Sequence, residues 1–206
     1  MKIIDVIQGS PEYHAAHRGV PSASQFHRII TPKTGKLSAQ ADGYINELIA
    51  EKYSLLPPLQ YGIPKSPALA HGVECEAEAR LWYELETNCD VRQVGFCLSD
   101  DGRFGCSPDG LIGEEGGLEL KCPQGHIQAG YVRAGTLPDE YKAQVHGSLI
   151  VTGRKWWDFL SYSPGLPPLC IRVERTPYAN SLTVALEDFW TRYQDALKLF
   201  AQKDEP

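Results

Sequence analysis

No two of the six cysteines in this 206-residue chain stand in a C-x-x-C pair; Cys75, Cys89, Cys97, Cys106, Cys122 and Cys170 are scattered along it. That spacing disfavours a structural zinc or an iron–sulfur cluster. The six read as reduced thiols in or near a core. Also lacking is an apolar run long enough to cross a bilayer. The first residues show no basic-then-apolar signal pattern, so a cytoplasmic location is expected. Positive charge is scarce: 20 Lys and Arg stand against 26 Asp and Glu, a formal net charge of −6. A broadly cationic nucleic-acid surface is therefore not expected. A confined groove remains open, because bound cations offset clustered carboxylates locally. Arg18, Lys33, Lys36, Arg133, Arg154 and Lys155 are the candidates for a localised positive surface. No repeat, low-complexity tract or interdomain linker interrupts the chain, and a single domain over residues 1–206 is expected.

What is present is an ordinary apolar and charged content, 42% and 22%, patterned as alternating helices and strands. A short helix is predicted over Ser22–Ile30, with Phe26, Ile29 and Ile30 inward. A second places Ala41, Tyr44, Ile45, Leu48 and Ile49 at helical spacing and stops at Leu56-Pro57-Pro58. After a loop over Tyr61–Pro67, a third runs from about Ala70 to Glu86 with Ala77, Leu81 and Leu85 inward. Strands are predicted over Val91–Leu98, Phe104–Ser107 and Leu118–Lys121. A helix over Pro138–Val151 follows, then strands Trp156–Tyr162 and Cys170–Glu174. A last helix carries the stripe Leu186, Phe189, Trp190, Tyr193, Leu197 and Phe200. The expected class is α/β, a central mixed sheet flanked by helices.

The most informative stretch runs from Gly105 to Pro123 and sets Asp109 upstream of Glu119-Leu120-Lys121. Strand side chains alternate, so Glu119 and Lys121 share a face while Leu118 and Leu120 point into the core. Glu114-Glu115-Gly116-Gly117 reads as a hairpin turn that folds the next strand back beside Asp109. Two carboxylates and a lysine brought together can hold a divalent cation and set a water against a phosphodiester. The same residues also suit a plain half-buried strand after an Asp-Gly turn. A further carboxylate is available from the third helix, where Glu74 and Glu78 share a face and Glu76 lies apart. Helical geometry does not choose among them.

Ser107-Pro108-Asp109-Gly110-Leu111 followed by Gly117-Leu118-Glu119-Leu120-Lys121-Cys122-Pro123 closely resembles the core of the bacteriophage lambda exonuclease family, within the PD-(D/E)xK nuclease superfamily. Three further blocks extend the resemblance in order along most of the chain. His17 to Ser24 is similar to the family's R-x-G-[IV]-T-A-S segment, with one residue fewer before the glycine. Ala70 to Arg80 is similar to its W-G-x-x-x-E-x-x-A-R helix, and Tyr141 to Gly147 to its Y-x-x-Q-V-Q segment.

The resemblance implies a restriction-endonuclease-like domain that digests linear double-stranded DNA from the 5′ end, releasing mononucleotides and leaving a 3′ overhang. It implies Mg²⁺, two ions per site, with Mn²⁺ able to substitute. Asp109 would be the ligand shared by the metals, and Glu119 with the Leu120 carbonyl would bind the water-activating ion. Lys121 would orient or deprotonate that water. Register against the family helix selects Glu76 as the further carboxylate. Tyr141 and Gln144 would stand beside the scissile phosphate, and Arg18, Ser24 and Ser107 would form a 5′-phosphate pocket. Another family arginine falls at Ile127, beside His126 and well before Arg133, so a reduced preference for 5′-phosphorylated ends is expected. Tyr13 occupies the place of a family aromatic and would stack on a base or pack in the core. A homotrimeric ring around the DNA and a single-strand annealing partner are implied as well. The alternatives are a nuclease of the same fold with other polarity, an endonuclease of restriction type, against which the absence of an attached specificity domain counts, and a DNA-end-binding module without catalysis.

Overall fold

Alternation along one strand, Gly116–Lys121, decides how the layers assemble. The structure, a computed structural model, describes residues 1–31, 34–54 and 67–201, with side chains in the last segment from 75 onward. Lys33, the Leu56-Pro57-Pro58 helix stop and the loop from Tyr61 lie outside the described residues, as does the Glu74 side chain. The described elements are β1 (Lys2–Ile4), α1 (Pro11–His17), a 3-10 turn (Ala23–Arg28), α2 (Ala41–Tyr53), α3 (Pro67–Thr87), β2 (Val91–Arg92), β3 (Phe96–Leu98), β4 (Gly105–Cys106), β5 (Gly110–Ile112), β6 (Gly116–Lys121), α4 (Gly125–Ala134), α5 (Asp139–Thr152), β7 (Trp156–Ser161), β8 (Leu169–Glu174) and α6 (Pro177–Ala201).

Five strands form a mixed sheet in the order β2-β5-β6-β7-β8, parallel at β6–β7 and antiparallel at its other pairings. On one face Leu118, Leu120 and Leu160 close an apolar layer with Ala79 and Tyr83 of α3. On the other, Trp157 and Phe159 pack with Val145 and Leu149 of α5, Leu48 of α2 and Phe189 of α6. The expected α/β sheet with helices on both faces is what the chain builds. A separate antiparallel sheet, β1-β3-β4, carries the chain into Asp109.

Four local expectations are corrected. The stretch Val91–Leu98 is two strands in two different sheets. The break falls at Gly95, where a Cβ would lie 1.9 Å from the Val6 carbonyl oxygen, so the N-terminal segment can pack closely there. On α3 the inward face is Cys75, Ala79 and Tyr83, whereas Ala77, Leu81 and Leu85 face out, the two leucines 56% and 76% exposed. The Ser22 helix is a 3-10 turn without a side-chain cap, although Phe26, Ile29 and Ile30 are fully buried as expected. Finally, Gly116 and Gly117 belong to β6 rather than to the hairpin turn, which is Gly113-Glu114-Glu115.

Those two strand glycines are required by what lies across β7. A Cβ on Gly116 would meet the Trp156 ring at 2.1 Å, and one on Gly117 the Trp157 ring at 2.3 Å. Arg154 closes the hairpin from below: its Nη1 donates to the carbonyls of Ile112, Gly113 and Gly116 at 3.2, 2.8 and 2.6 Å. Buried at 8% exposure, Arg154 is a structural clamp and not part of an open cationic surface. Gly117→Ala is accordingly expected to destabilise the fold by roughly 1–3 kcal/mol through overpacking. Urea unfolding should show a lower midpoint with an unchanged slope, and an unshifted midpoint would mean that Trp157 yields freely.

Candidate active site

Hairpin register brings the carboxylates together. Gly110 pairs with Leu118, and the Asp109 amide donates to the Leu118 carbonyl at 3.2 Å. The Asp109 carboxylate in turn accepts from the Leu120 amide at 2.6 Å. Asp109 is thus fastened to the strand that carries Glu119 and Lys121.

Glu119 is 2% exposed in the middle of that strand. Its Oε1 accepts from Lys121 Nζ at 2.6 Å and from Gln144 Nε2, on α5, at 2.5 Å. Tyr141, one turn earlier on α5, packs its ring on Phe159 with centroids 5.2 Å apart, and Lys121 Nζ stands 5.3 Å from that ring's centroid. Burial pushes the Glu119 carboxyl up to about 7, with repulsion from Asp109 and Glu76 adding to it and Lys121 opposing. Burial likewise raises Asp109, opposed by Lys121, the Leu120 amide and Arg80. Burial would lower the Lys121 ammonium, but the Glu119 and Asp109 carboxylates outweigh it and pull it upward.

Glu76 is exposed on α3. Desolvation and then the Asp109 charge raise its carboxyl, which Arg80 and Lys121 oppose. Glu78, in contrast, accepts from the Tyr162 hydroxyl at 2.5 Å. Of the two described candidates, Glu76 is the one in the field of Asp109 and Lys121. A cleft of about 400 Å³ adjoins these groups, walled by Glu76, Arg80 and Asp109 and by the N-terminal segment around Gln8. Gln8 fixes that wall, its amide donating to the Val94 and Pro108 carbonyls at 3.0 Å each.

The residues expected to hold a 5′-phosphate are dispersed in their contacts. Ser107 Oγ bonds the Tyr13 hydroxyl at 2.8 Å and His17 Nε2 at 3.1 Å. Tyr13 and His17 pack around Phe96, and burial, with help from His14, lowers the His17 imidazole to about 4. Arg18 is directed to the end of α2, donating to the carbonyls of Glu51 and Ser54. Ser24 has its hydroxyl 3.4 Å from that of Ser22. Of the other cations, Lys155 pairs with Glu115 at the hairpin turn. Sequence reasoning passed over Arg80 and Gln93 at the cleft and Gln8 behind Asp109. Arg80 was within reach of it, one helical turn after Glu76; Gln8 and Gln93 carry no spacing signal.

The donor set suits a hard divalent cation. Among the described residues no three His, Cys, Asp or Glu side chains form a ready metal cage. Mg²⁺ does not need one, because it keeps waters and takes one or two carboxylates together with substrate phosphate oxygens. Asp109 and Glu119 supply such carboxylates, and their elevated pKa values mark charge that a cation would relieve.

The fold that carries these residues recurs in solved structures. The chain is similar to LHK-Exo, an alkaline exonuclease from Laribacter hongkongensis, with TM-score 0.81 and 28% identity over 94% of this chain and 97% of that one. It is similar to LHK-Exo in complex with dAMP at TM-score 0.80, with the same identity and coverage. A phage-related exonuclease from Haemophilus somnus 129PT shares the fold at TM-score 0.54 and 12% identity, over 89% and 99% of the two chains. No curated protein matches the chain. The sheet and its flanking helices are therefore the nuclease fold of the phage-exonuclease type. Residues 12–155 match the YqaJ-like viral recombinase domain, and the chain belongs to that family.

The electrostatics of Glu119 give a sign that can be checked. A carboxyl raised in the folded state favours folding at low pH, and that contribution is lost as pH rises from about 4.5 through about 7. In EDTA the wild type should lose stability between pH 5 and 8 more steeply than Glu119→Gln, by about 3 kcal/mol at most. Parallel pH profiles for the two proteins would show that Glu119 is charged at no cost.

Proposed function

We propose that this chain is a Mg²⁺-dependent exonuclease that degrades one strand of linear duplex DNA from its 5′ end to mononucleotides, leaving 3′ single strands for recombination by strand annealing. Family membership and the likeness to LHK-Exo support a DNA exonuclease role. The observation that carries the reading is the buried Glu119 held between Lys121 and Gln144, on a strand to which Asp109 is fastened.

Asp109, Glu119, the Leu120 carbonyl and Glu76 would hold the metal, two ions per site, and Mn²⁺ would substitute for Mg²⁺. When bound, the ion polarises the phosphodiester, makes hydroxide available near neutral pH and stabilises the leaving oxygen. The side chains have narrower tasks. Lys121 would present its ammonium to the attacking water or to a phosphate oxygen. Gln144 keeps the Glu119 carboxylate in one orientation, and Tyr141 covers the lysine's flank. Buried Leu118 and Leu120 hold the backbone of β6 against the slippage that a loop-borne site would permit.

Ser107, Ser24 and Arg18 are assigned to the 5′-phosphate, with Ser107 presented by Tyr13 and His17. Ile127 in place of a family arginine reduces the preference for that phosphate. A ring of three copies around the duplex and an annealing protein as partner complete the reading. The outward Leu81 and Leu85 of α3 offer apolar surface for contacts between copies.

Linear duplex labelled on each strand in turn, incubated with Mg²⁺ or EDTA, tests it. Metal-dependent release of mononucleotides from 5′ ends, sparing closed circles, is expected. 5′-Hydroxyl ends should be cut more slowly than 5′-phosphorylated ends, by a modest factor. Release from 3′ ends would overturn the polarity, and nicking of closed circles would make the protein an endonuclease.

A further inference from the structure

Several arginines on this protein grip carboxylates in pairs of short bonds. Arg28 holds Glu47 at 2.6 and 2.7 Å, Arg103 holds Glu187 at 2.5 and 2.7 Å, and Arg172 holds Asp158 at 2.9 and 2.8 Å. Arg80 is different. It stands one helical turn from Glu76 and in the field of Asp109. Yet among the described residues no hydrogen bond or ion pair joins it to either. Its two terminal nitrogens instead converge on a neutral acceptor, the Gln93 amide oxygen, at 2.7 and 2.9 Å once that amide is oriented to satisfy both groups. Its Nε is buried without a partner. A guanidinium fork oriented by an uncharged group, with a donor unsatisfied, keeps its charge available to an incoming anion.

The anion's chemistry follows from the surroundings. Arg80 and Gln93 wall the same cleft as Asp109 and Glu76, the carboxylates proposed to hold metal, and Gln8 and Asp5 complete its polar lining. Three carboxylates against one guanidinium make that cleft hostile to any anion until divalent cations bind. We infer that Arg80, oriented by Gln93, contacts a backbone phosphate of the DNA strand lying in this cleft, and that it does so only when the carboxylate site is loaded with metal. The inference rests on the nuclease reading of the site and adds to it a phosphate contact on α3. Arginine suits the task through its planar fork, which a lysine cannot reproduce.

Binding of a labelled duplex end in Ca²⁺, followed by fluorescence anisotropy, tests this, with Ca²⁺ affinity measured separately by calorimetry without DNA. Arg80→Gln should weaken end binding about tenfold. Its Ca²⁺ affinity should not fall, because no bond links Arg80 to the carboxylates and removing a nearby positive charge does not weaken their hold on a cation. Arg80→Lys should restore only part of the loss. Gln93→Ala leaves the charge in place and removes its support, so it should weaken binding in the same direction but less; thermal midpoints close to the wild type would show both variants folded. In EDTA, wild type and Arg80→Gln should bind equally weakly.

Unchanged end binding in a folded Arg80→Gln would overturn the proposal, as would a loss fully matched by weaker Ca²⁺ binding, which would make Arg80 act only through the carboxylates. If Arg80→Gln fails to fold, Gln93→Ala decides, and wild-type binding by it would refute the contact. A wild type that binds ends in Ca²⁺ but never cleaves with Mg²⁺ would sink the exonuclease reading while leaving this contact standing.

Discussion

Burying Glu119 in the middle strand of the sheet is the constraint to which the rest of the structure answers. A carboxylate taken out of water must find compensation where it stands. Here that compensation is local and directional: the Lys121 ammonium two residues along the same strand face, and the Gln144 amide from the helix that covers it. The compensation is incomplete, since the carboxyl still sits near neutrality with Asp109 and Glu76 pressing on it. That residual repulsion among carboxylates is what the proposed metal would relieve.

The scaffold around Glu119 serves its position. The indole rings of Trp156 and Trp157 on β7 fill the space that a Cβ on Gly116 or Gly117 of β6 would need, and Arg154 ties the hairpin turn to the start of the strand. Gln8 pins the peptide before Asp109 to the N-terminal segment. None of these residues carries the proposed chemistry. Together they hold Asp109 beside β6, and the α3 layer on Leu118 and Leu120 fixes the depth of that strand.

Much of this was legible in the sequence because two periodicities are strict. Alternation in Leu118-Glu119-Leu120-Lys121 placed polar and apolar groups on opposite faces, and the inward set of α2 and the α6 stripe from Leu186 to Leu197 follow helical spacing, whereas Phe200, expected in that stripe, is exposed near the helix end. The third helix misled because two apolar sets coexist on it. Ala77, Leu81 and Leu85 are larger in sum than the Cys75, Ala79 and Tyr83 set that is in fact buried, and hydrophobicity alone prefers the wrong face. Glycine misled at the hairpin: Gly116 and Gly117 look like turn residues, but their reason is a partner strand's indole rings, which no local pattern reveals. Short elements escaped altogether. β1 and β5 have three residues each, β1 finding its partner in distant β3, while α4 contains two glycines and buries only Gln128. At the site, Asp109, Glu119, Lys121 and Gln144 were legible; Gln8 and Gln93 act through backbone and guanidinium contacts that only the fold creates.

If the Glu119–Lys121 pair is the centre of the chemistry, removing the ammonium should separate cleavage from binding. The measurement is Lys121→Ala assayed for mononucleotide release in Mg²⁺ and for duplex-end binding in Ca²⁺. Cleavage should fall by about 10²–10⁴-fold while end binding stays near the wild-type level. Cleavage at the wild-type rate by a folded Lys121→Ala protein would contradict it and place the chemistry elsewhere on the chain.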